Sequence, residues 1–203
     1  MTTRAIRALR PDLRRMAVST SDLRAEASVI LEATKPEQWI WSPDRNAWSM
    51  ALILDHLNSV ARLVLPRVEP ALVRLRAEGC LSNAVPKYGF GERIYIRLVG
   101  PKTPLKVPVP RIFMPNTPAE PAREAGEPFL TFLDALLRCL ESANGLDLLK
   151  IKIPSPVNER IRFTAGAALE AIVAHNQYHW MQVRALRAHP DFPAQARTIW
   201  SIP

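Results

Sequence analysis

At 203 residues, 48% of them hydrophobic, the chain is long enough for one well-buried domain and too apolar to stay disordered. No apolar run reaches the roughly 18 residues needed to cross a bilayer, so no membrane partner is expected. The net charge of +8 makes the chain basic, and two isolated cysteines, Cys80 and Cys139, argue against a disulfide framework and for a reducing, cytoplasmic location.

The first 18 residues hold Arg4, Arg7, Arg10, Arg14 and Arg15 against Asp12 alone. They lack an apolar core followed by a cleavage pattern, so a secretory signal is not expected. A transit peptide, a nucleic-acid arm and a solvated helix extension stay open, with the extension preferred. No aromatic residue interleaves with these arginines to stack on single strands, and nucleic acid is not the expected partner. This reading divides the chain into a basic arm at 1–18 and a helical domain at 19–203.

Ser21-Asp22 precedes an amphipathic stretch with apolar residues at 23, 27, 30 and 31, which predicts a capped helix ending near Lys35-Pro36. Trp39, Trp41 and Trp48 surround a proline turn, and such a bulky connector is expected to pack as a lid on the end of a bundle. The next helix is predicted to begin between Asn46 and Ser49, with Leu52, His56, Ser59, Val60 and Leu63 on its inward face. Pro66 and Pro70 are expected to kink or split it, leaving a further helical piece closed by Gly79.

Residues 90–100 could form a short helix. The crowded prolines of residues 101–121 predict an extended surface excursion instead. Periodicity resumes at Glu127, where Phe129, Phe132, Leu133, Leu136, Leu137 and Leu140 form an apolar stripe. Cys139 is expected to pack there as a small apolar residue. A connector over residues 148–163 leads to the last long helix, at about 164–188. Its inward face carries Ala165, Ala168, Leu169, Ile172, His175, His179, Val183 and Leu186. The fold class is therefore all-α: a four-helix bundle with a proline-rich insertion between the second and third core helices.

His175 and His179 stand four residues apart and share one helical face. His56 points inward from another helix. Three separately buried imidazoles would each need partners or cost about 1–3 kcal/mol, whereas one shared cation meets all three needs. Imidazole donors suit zinc, nickel, copper or iron rather than magnesium or calcium, and three of them leave positions open. His189 lies before a proline beyond the helix end and is left out of the site. Asp55 points about 100° away from His56, Asn176 borders the inward face, and Glu170 faces away. No general base stands beside the expected ligands.

The segment NAWSMALILDHLNSVARL resembles the second helix of the DinB-like (YfiT-like) metal-binding four-helix bundle superfamily, with its Trp-Ser opening and a histidine two turns on. FTAGAALEAIVAHNQYHWMQVRAL resembles its last helix, with the H-x-x-x-H pair, and RIFMPNTP is similar to variants with a long insertion. The resemblance implies that His56, His175 and His179 ligate a divalent transition metal, commonly zinc or nickel. It also implies thiol-dependent transferase, isomerase or hydrolase chemistry, while many members have no assigned reaction. Such a metal could activate water for hydrolysis, or bind the thiolate of a low-molecular-weight thiol cosubstrate. The expected function is a metal-dependent hydrolase or thiol S-transferase acting on a small electrophile. The alternative is a non-catalytic metal- or ligand-binding bundle, a sensor or interaction protein, and a homodimer is expected to suit either.

Overall fold

Pro11 starts the first long helix. Its ring presets the helical φ, and its missing N–H falls where no intrahelical partner exists. In the computed structural model, which describes residues 1–103, 108–115 and 123–193, a short helix α1 (Thr3–Arg7) precedes α2 (Pro11–Ala33). The break expected at residue 18 thus falls inside a continuous helix, which also starts well before Ser21. Ile6, Leu9, Leu13, Met16 and Ala17 lie in the hydrophobic core. Arg10 is buried against Asp12 at 2.8 Å, and its Nη1 donates to the carbonyls of Ser82 and Leu146, both at 3.0 Å. The arginine-rich stretch is therefore tied to the body of the protein.

Helix α3 (Pro36–Ile40) buries Trp39. Helix α4 (Met50–Ala77) is capped by Ser49, whose hydroxyl accepts the Leu52 N–H at 3.4 Å. It runs unbroken through Pro66 and Pro70, against expectation. Both prolines are exposed, so the backbone groups that they deprive of partners face water rather than the core. Gly79 follows at φ +64°, the left-handed backbone that closes a helix. The inward face of α4 is rotated from the predicted one. Met50, Ile53, Leu54, His56 and Leu57 are buried, while Leu52, Ser59 and Leu63 are only half-buried.

Helix α5 (Phe90–Val99) lies where a short helix was read, and Arg111–Phe113 make one 3-10 turn. Residues 104–107 and 116–122, parts of the proline-rich excursion, lie outside the described residues, as do 194–203. Helix α6 (Arg123–Ser142) starts four residues before Glu127 and buries its whole predicted stripe, Cys139 included. The expected connector holds a small antiparallel pair, β1 (Lys152–Pro154) with β2 (Arg162–Thr164), in which Ile153 faces Phe163. Helix α7 (Ala165–Arg187) follows at once, capped by Thr164, whose Oγ1 accepts the Ala167 N–H at 3.3 Å.

The chain is mostly helical, as an all-α reading requires. Helices α2 and α4 each pack against both α6 and α7, and α5 lies along α7. Leu13, Met16, Leu54, Leu57, Leu133, Leu136 and Trp180 meet between the long helices, with the Phe129 and Trp180 rings stacked at 5.9 Å. No described helix is long and apolar enough to cross a membrane.

Candidate metal centre

The Ser49 cap sets the start of α4 and places His56 two turns in, on a face that turns toward α7. His56 is only 2% exposed. On α7, His175 and His179 stand one turn apart, as four-residue spacing dictates. The packing of α4 on α7 brings the three rings together. Their centroids lie 5.1 Å apart for His56–His175, 4.6 Å for His56–His179 and 4.5 Å for His175–His179. One ring nitrogen from each falls within 4.8 Å of the other two.

Hydrogen bonds orient two of the rings. A carbonyl oxygen can only accept, so the Nδ1–H of His56 donates to the Phe113 carbonyl, at 2.7 Å. The Nδ1–H of His179 donates to Gln182 Oε1, also at 2.7 Å. In both rings Nε2 then carries the lone pair, the form that a metal takes. His56 Nε2 lies 3.2 Å from His175 Nε2. A tetrahedral ion with bonds of about 2.0–2.1 Å separates neighbouring nitrogens by about 3.3 Å, so this edge has the spacing that zinc requires. The Nδ1 of His175 is sealed from solvent and has no hydrogen-bond partner. Without metal, His175 Nε2–H can donate to His56 Nε2. With the proton on Nδ1 instead, all three Nε2 lone pairs become donors.

The electrostatics favour neutral rings. Burial pushes His56 below the usual histidine range, against the smaller opposing effects of the Phe113 carbonyl and Asp55. His175 is pushed well below it by burial, then by His179 and His56. His179 is lowered to about 3, chiefly by burial and then by His56. Neutral imidazoles offer lone pairs at neutral pH without first losing protons.

Trp48, the residue before the Ser49 cap, stacks on His179 at 6.0 Å and tilts against His56 at 5.0 Å. It forms an aromatic wall of the site. Asn176 is buried, and its Nδ2 has no hydrogen-bond partner among the described residues. Glu170 accepts from Arg15 at 2.6 Å. His189 sits apart, packed on Trp41. Sequence reasoning missed the acceptors. Gln182 was within reach, because three residues beyond His179 is the same side of a helix. The Phe113 carbonyl carries no side-chain signal.

Neither the curated proteins nor the solved structures include a match to this chain. The sequence model of the DinB superfamily matches residues 20–183, a span that takes in all three histidines, Trp48, Phe113 and Gln182. By that match, over most of its length, the chain belongs to the DinB superfamily.

Proposed function

We propose that His56, His175 and His179 hold one divalent transition metal, zinc or nickel, and that the protein is a metal-dependent hydrolase or thiol S-transferase acting on a small electrophile. One observation carries this reading: three neutral imidazole nitrogens from two helices converge within 4.8 Å, two of them with Nδ1 engaged elsewhere. When bound, such an ion supplies Lewis acidity and lowers the pKa of a water or thiol that meets it. The chain's own residues do the rest. The Phe113 carbonyl and Gln182 fix two rings, and Trp48 walls the site with apolar surface. A low-molecular-weight thiol is the proposed cosubstrate of the transferase version. A cytoplasmic location and a homodimer belong to the same proposal.

A second reading, a non-catalytic metal- or ligand-binding helical protein, rests on the donor set itself. Among the described residues, no carboxylate or thiol joins the three histidines. Zinc and nickel titration of wild type and His175→Ala tests the shared premise. Wild type is expected to bind one ion and His175→Ala at least about 100-fold less. Equal, negligible binding by both would remove both metal readings. Turnover of small esters, amides and thiol-reactive electrophiles by the loaded protein then separates enzyme from binder.

A further inference from the structure

Helix α5 contributes no buried residue to the core. Phe90 is 73% exposed and Ile94 42%. The side of α5 carrying Ile94, Tyr95 and Leu98 faces the β1–β2 hairpin, and the two enclose a recess of about 530 Å³. That volume falls within the range of small-molecule sites. Phe163 of β2 stacks on Tyr95 at 4.3 Å and makes an aromatic wall, and Ile161 adds apolar surface. Gly89 and Gly91 leave the helix end bare, since a Cβ on either would meet nothing within 4 Å.

The charge around this recess is one-sided. Lys152 and Arg162 line it from the hairpin. Arg162 Nη2 donates to the Lys152 carbonyl at 2.8 Å, which steadies the guanidinium while its remaining donors are available. Among the described residues, neither cation is in a salt bridge with an acid. The lining acid, Glu92, already accepts from the Gly89 N–H at 3.3 Å and the Thr164 N–H at 2.7 Å, so it serves the caps of α5 and α7. Residues 85–102 and 147–163 together hold eight lysines and arginines against three acids. The recess between α2 and α7 is different, because its Arg15 and Arg184 are paired with Glu170 and Glu26.

We infer that the recess between α5 and the β1–β2 hairpin binds a small apolar carboxylate, its aliphatic or aromatic body on Ile94, Leu98 and Phe163 and its carboxylate on Lys152 and Arg162. An apolar trough with an unpaired cationic edge complements that ligand. A second copy of the chain, bringing the same cations, is opposed by like-charge repulsion. The site lies about 16 Å along α7 from His175, counted from Thr164, and does not depend on the metal.

The test is calorimetric titration with decanoate, and with decyltrimethylammonium as a cation of the same chain length. Decanoate is expected to bind one to one, and the cation not measurably. Lys152→Glu with Arg162→Glu should weaken decanoate at least about tenfold, with zinc affinity and helical content unchanged. Should that double variant lose its helical signal, Arg162→Gln alone decides, with about threefold weakening expected. His175→Ala should bind decanoate normally. Equal binding of both amphiphiles, or undiminished decanoate binding by the charge variants, would overturn the inference. So would a concentration-dependent dimer abolished by Phe90→Ser, or capture by anionic vesicles that decanoate does not displace.

Discussion

Gln182 Oε1 accepts the Nδ1–H of His179 at 2.7 Å from three residues further along α7. The contact sets the tautomer and tilt of a proposed metal ligand from within the same helix. Hydrogen-bonded partners of this kind are worth about 10–100-fold in metal affinity. Gln182→Leu is therefore expected to weaken zinc binding by that factor, while Gln182→Glu keeps or strengthens it. Competition titration against a chelator reads both. Unchanged affinity in Gln182→Leu would show that α7 packing alone holds the ring.

All three site histidines are held below the usual histidine pKa of about 6.5, with His179 at about 3. Well above pH 6.5 they are neutral in both the folded and the unfolded chain and contribute no pH dependence. Below it the unfolded chain takes up protons that the folded site refuses, so metal-free stability falls as pH falls. The slope approaches about 1.4 kcal/mol per pH unit for each group, and the His179 part levels off near pH 3. Thermal melts of metal-free protein from pH 7 to 5 should show this decline. His179→Leu should flatten it, and a slope equal to wild type would contradict the assignment.

Pro66 and Pro70 sit on the exposed side of a continuous helix. Proline in a helix interior is about 3 kcal/mol less favourable than alanine. Pro66→Ala and Pro70→Ala are each expected to raise stability by at least about 1 kcal/mol, measured by urea unfolding, with zinc affinity unaltered. A loss of stability in either would mean that α4 needs a proline-induced bend.

Arg10 is buried with Asp12 and holds the carbonyls of Ser82 and Leu146. Removing one partner strands the other charge, at a cost of about 3–5 kcal/mol. Arg10→Ala should lower the urea midpoint accordingly, and Arg10→Ala with Asp12→Leu should recover part of the loss. Deleting residues 1–18 removes five core side chains with them. Loss of cooperative unfolding is the expected result. A truncated protein that melts like the full chain would establish the stretch as a separable arm.

The helical stripes were legible because helix period and burial agree. Every predicted stripe residue of α6 is buried, and the predicted face of α7 is buried but for the half-buried His175. Local signals and packing compete at two places. Prolines argue for a break in α4, yet their exposure lets the helix pass. Charge argues for an arm at the N-terminus, yet Ile6, Leu9, Leu13 and Met16 anchor it. The β1–β2 pair was hidden because three-residue strands leave too little alternation to read.

Sequence alone determined that His175 and His179 share a helical face and that His56 faces inward from a different helix, because period and capping are local properties. It could not determine that His56 Nε2 would meet His175 Nε2 at 3.2 Å, or that the Phe113 carbonyl and Gln182 would turn the lone pairs inward. Those distances depend on the relative shift and rotation of α4 and α7. Side-chain packing across the whole core decides both, and no short stretch of chain encodes them.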